Sequence, residues 1–524
     1  MSNWWRKKKV EEIDKCELRD FYLDKGIRDS SRWKRASSNK IDEWITKNVG
    51  ELPKMTYGML DHQRRCYCLG LIYPRFYMQL DMGTGKTKLA IDLFNTRWER
   101  EQVERMLVLV PGKLNLDQWR EQVAEHSPSL RVILGNRGTK RLIQDVAERD
   151  FDVVVMTYQA LLSVYRDAKR ARAFVRNFDF LVPDESSIYK NHGGAMFGMM
   201  RKLRKEFHYI LNLSGTPFSK DPIGLWAQFY ILDGGDLLGS SISEYRRRFF
   251  HEKTFKKWTK WEIIPDKIAL LNRVIHHLAI RYAVDDCLDL DPALRREVSV
   301  PMTPEQLEFW ADIQQRKALC VAFDESVAWT AHEERMCSSG FKILEDGTAI
   351  PFEKNPKLEA LCDLIDEIEK VMGEDESVII VHHYVVTGNM IVDALKREKV
   401  KVAQVNGKLS DSAKSKAIAD FKAKRARVLV ANSAAAYGLN LQDVCRSMIF
   451  FEPLDNAEHR EQIERRIWRQ GQTKKVYYFD LTLRASSDDK ALARLQTKKN
   501  LIRRVVDGKG AKRSGVVRID REQT

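Results

Sequence analysis

The sequence predicts an α/β protein of two parallel-sheet lobes with a helical insertion between them. Three observations carry this expectation. Apolar runs of strand length recur between helical stretches, as strands buried on both faces do. The cadence stops near residue 240 and restarts after 355. A chain of 524 residues also exceeds what one core usually supports.

In chain order, the first runs are Met78-Gln79-Leu80-Asp81, Met106-Leu107-Val108-Leu109-Val110, Val153-Val154-Val155-Met156, Phe178-Asp179-Phe180-Leu181-Val182 and Tyr209-Ile210-Leu211-Asn212-Leu213. The second set is Ser377-Val378-Ile379-Ile380-Val381, Val402-Ala403-Gln404-Val405, Arg427-Val428-Leu429-Val430, Ser447-Met448-Ile449-Phe450-Phe451 and Val476-Tyr477-Tyr478-Phe479. Between them the apolar pattern turns helical and the charge rises. The expected organisation is a basic N-terminal extension (1–54), a first lobe (55–240), a helical insertion and interlobe connection (241–355), a second lobe (356–490) and a basic C-terminal tail (491–524). That tail carries 10 basic against 3 acidic residues and is read either as nonspecific electrostatic affinity or as a solubilising appendage.

Hydrophobic residues make up 44% and aromatic residues 10% of the chain, a globular composition. Lys and Arg outnumber Asp and Glu by 89 to 74, for a net charge of +15, which favours a polyanionic partner such as nucleic acid. Eight cysteines without C-x-x-C pairing argue against structural zinc. Cys66 and Cys68 are read as small buried residues. No secretory leader and no run of about 18 apolar residues is legible, so no membrane is expected. The expectation is a soluble intracellular monomer, cytoplasmic or nucleoid-associated, in a reducing compartment, with its recruiting protein unknown.

Asp81-Met82-Gly83-Thr84-Gly85-Lys86-Thr87 leaves a strand and enters a helix whose first amides can hold phosphate. Lys86 would reach the β- and γ-phosphates and Thr87 would ligate Mg²⁺. Leu80 stands where the strict phosphate-loop pattern has its first glycine. Asp184 and Glu185 end a strand, so Asp184 can hold the Mg²⁺ shell while Glu185 orients and deprotonates the attacking water. Asp324-Glu325-Ser326 is read as a solvated turn. Ser214 and Thr216, in Leu213-Ser214-Gly215-Thr216-Pro217-Phe218, follow the next strand and read as a coupling element. Far downstream, Arg466 and Arg469 are expected on one helical face, where guanidinium groups can stabilise a transferring phosphoryl group. Glu464 and Arg465 are read as surface or salt-bridge residues. From Tyr245 to Lys267, aromatics alternate with eight basic residues; the aromatics are expected in the core and the charges beside a nucleic-acid groove.

These residues resemble the superfamily-two helicases, most closely the Swi/Snf-type double-stranded DNA translocases, over most of 55–482. The resemblance rests on His62-Gln63, the phosphate loop, Leu109-Val110-Pro111 with Gln118-Trp119, Met156-Thr157-Tyr158, Asp184-Glu185-Ser186-Ser187 with Lys190-Asn191, and Ser214 to Pro217 with Leu225-Trp226 and Phe229. In the second lobe it rests on Val378 to Val381, Asn406-Gly407, Tyr437-Gly438-Leu439-Asn440-Leu441 and Gln462 to Gln472. It implies RecA-like lobes using ATP and Mg²⁺, with nucleotide contacts from Gln63, Met82, Gly83, Thr84, Gly85, Lys86, Thr87 and Gly438. It also implies catalysis by Lys86, Asp184, Glu185, Arg466 and Arg469, and coupling through Ser214, Thr216 and Gln462. Contacts to double-stranded DNA would fall at Pro111, Gly112, Lys113, Thr157, His382, His383, Asn406, Gly407, Asn432 and Ser433.

The departures are Asp81 and Thr84 in the loop, Ser186-Ser187 after the acid pair, Trp468 where a histidine is common, and Ala434-Ala435-Ala436 before Gly438. None of Lys86, Glu185, Arg466 or Arg469 is lost, so an active enzyme is expected. The absence of reader modules suggests a compact bacterial or viral motor in replication, recombination, repair, defence or remodelling of DNA-bound complexes. Two alternatives stay open: a strand-separating DNA or RNA helicase, for which no wedge hairpin is legible, and a non-motor clamp switched by ATP.

Overall fold

The apolar runs become the central strands of two sheets. The computed structural model describes residues 37–48, 58–136, 138–148, 150–218, 221–255, 258–287, 291–323, 326–436, 441–454, 456–469, 471–510 and 515–521. Most of the N-terminal extension, Asp324-Glu325, Tyr437 to Asn440 with Gly438, Gln470 and Lys512-Arg513 lie outside the described residues. The chain forms two compact units, one of residues 1–288 with 501–511 and one of residues 289–500 with 512–524.

The first unit contains strands β1 (Arg75–Leu80), β2 (Met106–Val110), β3 (Val132–Leu134), β4 (Val153–Thr157), β5 (Phe180–Pro183), β6 (Tyr209–Leu213), β7 (Phe250–Phe255), β8 (Trp258–Ile263) and β9 (Ala279–Tyr282). Seven form one all-parallel sheet in the order β3-β4-β2-β5-β6-β1-β9. Strand β2 is buried throughout, which is why it reads as an unbroken apolar run. Helices Asp61–Ile72 and Lys86–Glu99 pack their apolar sides on this sheet, with Cys66 and Cys68 fully buried in the core. Each buried Val, Leu or Ile in such a layer contributes about 1.5–3 kcal/mol.

The second unit contains β10 (Leu294–Val300), β11 (Phe341–Ile343), β12 (Ala349–Pro351), β13 (Ser377–His382), β14 (Val402–Val405), β15 (Val428–Asn432), β16 (Cys445–Phe450), β17 (Tyr477–Leu483) and β18 (Val516–Asp520). Its seven-stranded sheet is again all parallel, in the order β14-β15-β13-β16-β17-β10-β18. Two parallel seven-stranded sheets with crossover helices are the predicted two-lobe α/β class.

The interval 241–355 is more mixed than a helical insertion. It holds the helices Ile242–Phe249, Ile268–Ile275, Pro304–Ala322 and Ala328–Ser339, but also the antiparallel hairpin β7–β8 and the strands β9 and β10. The hairpin was not legible because its alternating aromatics were read as part of a helical pattern; they suit a pleated ribbon equally well. Tyr245, Phe249 and Phe250 are buried as expected, whereas Lys253 and Lys260 are exposed. Strand β10 escaped notice because it opens on charged residues, which are paired: Arg295 with Glu464 and Arg296 with Glu367. The C-terminal stretch also differs from an appendage. Helix Ser487–Val505 carries its first half, and β18 runs parallel to β10 with Val298 opposite Ile519. Among the described residues no helix is long and apolar enough to cross a membrane.

Candidate nucleotide site and nucleic-acid edge

In the first unit the three candidate nucleotide loops leave β1, β5 and β6, which are neighbours in the order β5-β6-β1. Adjacent carboxyl ends of parallel strands form the edge where ligands gather. The loop after β1 turns through Gly83 and Gly85, at φ 81° and 90°. Such values favour glycine. Space reinforces this at Gly85, where a Cβ would lie 2.2 Å from Gln63 Nε2.

Gln63 is latched to the loop. Its Nε2 donates to the Thr84 carbonyl at 3.2 Å, and its Oε1 accepts the Leu60 amide at 3.0 Å. His62 Nε2 lies 2.9 Å from the same Thr84 carbonyl. Thr84 Oγ1 donates to the Asp81 carbonyl at 2.7 Å, and Lys86 Nζ donates to the carbonyls of Leu80 and Asp81 at 2.7 and 3.1 Å. Lys86 opens the helix Lys86–Glu99, with Thr87 next to it in the first turn.

Strand β5 hands over to the acid pair when the Asp184 amide donates to the Leu109 carbonyl of β2. Asp184 Oδ2 accepts Trp119 Nε1 at 2.9 Å and Oδ1 accepts the Glu185 amide at 3.1 Å. Burial pushes the Asp184 carboxyl up, while Trp119 and the Lys86 ammonium pull it back. Glu185 takes a left-handed backbone, φ 52° and ψ 58°, and its Oε2 accepts the Ser214 hydroxyl at 3.2 Å. Gly215 stands against the loop after β1, since a Cβ there would lie 3.3 Å from the Leu80 carbonyl. Thr216 and Ser187 are both buried.

Beneath these loops runs a polar network that the sequence reading missed. Tyr77 donates to Gln228 Oε1 at 2.5 Å, and Gln228 Nε2 donates to the Pro217 carbonyl at 2.6 Å. Tyr189 donates to Asn212 Oδ1 at 2.6 Å, Asn212 Nδ2 donates to the Gln228 carbonyl, and Tyr158 donates to the Asp184 carbonyl at 2.9 Å. Buried polar groups must be paired, so this network fixes the floor of the site. Tyr158 belongs to the Met156-Thr157-Tyr158 motif, whereas Tyr77, Tyr189, Asn212 and Gln228 sit in apolar strands and helices and carry no motif.

Pro111, Gly112 and Lys113 follow β2, and Thr157 ends β4 opposite Val110. Thr157 Oγ1 accepts the Ala160 amide and caps the next helix, while Lys113 is exposed. In the second unit, β14, β15 and β13 are neighbours, so Asn406, Asn432 and His382 emerge side by side. Asn432 Nδ2 donates to the His383 carbonyl at 2.6 Å, and the Ser433 carbonyl lies 3.1 Å from His459 Nε2. Asn406 Oδ1 accepts the Lys408 amide at 3.0 Å, and nothing crowds the Cβ position of Gly407. His382 corrects the expectation of a phosphate contact. Its ring is 1% exposed and lies against Gly388, with Nδ1 at 2.9 Å from the Tyr384 carbonyl. His383 is the exposed residue at this point.

The arginines are a second correction. Helix Ala457–Glu464, capped by Asn456 Oδ1, ends before Arg466, so Arg466 and Arg469 share no helical face. The ladder tightens as the Arg466 amide turns to the Ile463 carbonyl, and the Tyr478 hydroxyl donates to the Glu464 carbonyl at 2.7 Å. Gln472 Nε2 braces this turn on the carbonyls of Gln442, Cys445 and Ile467. Gln462 is buried. Glu464 is a salt-bridge residue as expected but not a surface one. It receives Arg295 through two contacts of 2.6 and 2.7 Å and Arg460 at 2.7 Å, while Arg460 also grips Asp480.

Two parallel-sheet lobes of this kind are the fold of superfamily-two enzymes. Residues 78–344 match the SNF2-related domain and residues 356–471 the helicase conserved C-terminal domain. The chain belongs to the SNF2-related family and is an ATP-hydrolysing enzyme. Chromatin remodeling factor mit1 of Schizosaccharomyces pombe is 22% identical, with 82% of this chain covering 32% of that protein. A Drosophila melanogaster SWI/SNF-related regulator of chromatin, subfamily A-like protein 1, is 22% identical over 86% of this chain and 56% of its own length. Protein p41 of Acyrthosiphon pisum secondary endosymbiont phage 1 is 22% identical over 80% of this chain and 91% of its own. The chain therefore spans about a third to just over half of the first two relatives and most of the third. Among solved structures, the Sulfolobus solfataricus SWI2/SNF2 ATPase core in complex with dsDNA is 20% identical, covering 88% of this chain and 95% of that one at a TM-score of 0.41.

Proposed function

We propose that the enzyme is a DNA-dependent ATPase that converts hydrolysis into translocation along double-stranded DNA. The observation that carries this reading is the arrangement of the first unit. Lys86, the Asp184-Glu185 pair and Ser214 leave three neighbouring strands, and the Pro111-to-Lys113 and Thr157 positions leave the next two along the same edge. Nucleotide chemistry and backbone contacts would then share one rigid sheet. Family membership supports it, as do relatives named for chromatin remodelling and for DNA repair and recombination.

In the proposed mechanism the loop amides and Lys86 bind and orient the phosphates, and Gln63, held against Thr84, sits where the base would be read. The hard oxygens of Thr87 and Asp184 fit a Mg²⁺ ion, which keeps most of its shell as water and phosphate and needs few protein ligands. When bound, the ion would neutralise charge on the phosphates. Glu185 orients and deprotonates the attacking water. Arg466 and Arg469 stabilise charge on the transferring group. Ser214 relays the state of Glu185 to the loop after β6. DNA is gripped by phosphate contacts from Pro111, Gly112, Lys113, Thr157, His383, Asn406, Gly407, Asn432 and Ser433.

The test is steady-state ATPase activity with single-stranded, duplex and forked DNA and RNA, beside triplex displacement. Duplex DNA should stimulate turnover and the third strand should be displaced, both lost in Lys86→Ala, Glu185→Gln and Arg469→Ala. An undiminished rate without nucleic acid would sink the reading. One observation favours strand separation instead: the hairpin β7–β8, which among the described residues pairs with no other strand. Unwinding of forks without duplex translocation would select that alternative.

A further inference from the structure

Arg281 is a buried charged residue on β9, the end strand of the first sheet, and its partners account for it. On β9 it lies opposite Gln79 of β1, two residues before Asp81. Its side chain is 5% exposed and bridges Asp81 Oδ1 at 2.6 Å and Asp507 Oδ1 at 2.7 Å. The same guanidinium donates to the Gly215 carbonyl at 2.9 Å and the Gln79 carbonyl at 3.3 Å. Asp81 is held on its other oxygen by the Val284 amide at 3.0 Å. Asp81 opens the phosphate loop, and its carbonyl is one of those that hold Lys86 and Thr84. One buried group therefore joins the start of the phosphate loop, the loop after β6 and a residue near the far end of the sequence.

The segment that brings Asp507 is anchored independently. Asn272 Nδ2 donates to the carbonyls of Val505 and Val506 at 2.8 and 3.1 Å, both valines are fully buried, and Lys509 pairs with Asp286. Asp507 and Lys509 line a cavity of about 1020 Å³ whose wall also includes His62, a residue in contact with the phosphate loop. Nothing in the nucleotide-loop motifs requires Asp507. A single guanidinium between two carboxylates is held in orientation by both, and removing one leaves it free to move.

We propose that Arg281 and Asp507 are positioning residues for the phosphate loop, which gives Asp507, a residue near the far end of the sequence, a part in setting the nucleotide site. The inference rests on residues 81–87 being that loop. The measurement is equilibrium binding of a fluorescent ATP analogue to the full chain without nucleic acid, with melting temperature read in parallel. Lys86→Ala should abolish binding; if it does not, the loop assignment itself fails. Asp507→Asn should weaken binding about tenfold, the size expected for loss of one arm of a coupled buried network, and Asp507→Glu should restore part of it. Lys509→Ala, which removes only the neighbouring ion pair to Asp286 while the Asn272 and valine anchors stay in place, should leave nucleotide affinity unchanged. Combined with Asp81→Asn, Asp507→Asn should cost less than the sum of the single changes. Unchanged affinity in folded Asp507→Asn, or an equal loss in Lys509→Ala, overturns the proposal while leaving the loop assignment intact. Should Arg281→Ala fail to fold, the Asp507 variants still decide.

Discussion

The hydroxyl of Ser214 donates a 3.2 Å hydrogen bond to the carboxylate of Glu185, tying the loop after β6 to the loop after β5. Glu185 is held in a left-handed backbone, a conformation that an L-residue keeps only where its surroundings demand it. Together these features aim one carboxylate from the strand end.

If Glu185 deprotonates the attacking water, Glu185→Gln should lower kcat by about 10²- to 10⁴-fold, the usual worth of a general base. The melting temperature should stay near that of the parent, because the amide preserves shape. Ser214→Ala should lower kcat by about tenfold with KM for ATP little changed, since the hydroxyl orients the base without touching phosphate. Nucleic-acid-stimulated ATPase kinetics check both. A rise in KM at constant kcat in Ser214→Ala would assign the serine to binding instead.

Asp184 supplies a pH-dependent prediction. Burial raises its carboxyl above the ordinary range, so it keeps its proton to higher pH than an exposed aspartate. Mg²⁺ needs the ionised form. The Mg²⁺ concentration for half-maximal ATPase activity should therefore rise as pH falls, by about tenfold per unit below that shifted value. The sign for stability is opposite. The folded state binds more protons than the unfolded one between the two pKa values, so stability falls as pH rises through that window. Asp184→Asn should then raise the melting temperature near neutral pH while abolishing turnover, as calorimetry and an ATPase assay would show.

The sequence made the central strands legible because strands buried on both faces are continuously apolar, as β2 and β13 are. The proposed phosphate loop and the Asp184-Glu185 pair stand out in it because phosphate binding and water activation demand fixed residue types in a fixed order. It hid β9 and β10 because Arg281 and Arg295 interrupt their apolar pattern, and only the fold reveals the carboxylates that pair with them. The end of the helix at Glu464 was hidden for a similar reason. No glycine or proline marks it; the distant hydroxyl of Tyr478 binds the Glu464 carbonyl there. His382 looked like a surface ligand until the glycine facing it was known.

That glycine is Gly388. A Cβ built there would lie 2.4 Å from His382 Cε1, and the ring is also confined through its contact with Tyr384. Gly388→Ala should destabilise the second unit by about 1–3 kcal/mol, the range for overpacking a filled core, despite the better helix propensity of alanine. Denaturant unfolding gives the value. Because Asn432 is bonded to the next carbonyl, that of His383, the same substitution should also weaken DNA affinity in a filter-binding assay.

The turn carrying Arg466 and Arg469 follows directly on a buried charge cluster. Burial alone would raise Glu464, but Arg295, Lys499 and Arg460 hold it well below the usual carboxylate range. Glu464→Gln would leave Arg295, Arg460 and Lys499 without the carboxylate they share, and should cost about 3–5 kcal/mol, as removing one partner of a buried pair does. Lys499 makes the cluster sensitive to pH. Burial, reinforced by Arg295 and Arg460 and opposed by Glu464, pushes its amine down to about 8 from 10.5. Between those values the unfolded chain holds a proton that the folded chain has released, so stability of the second unit should rise with pH across that window. Urea unfolding of the parent and of Lys499→Met at the two ends of the window tests this. The parent should gain stability toward the alkaline end and the methionine variant should lose that gain; parallel profiles would show that Lys499 keeps its proton in the fold.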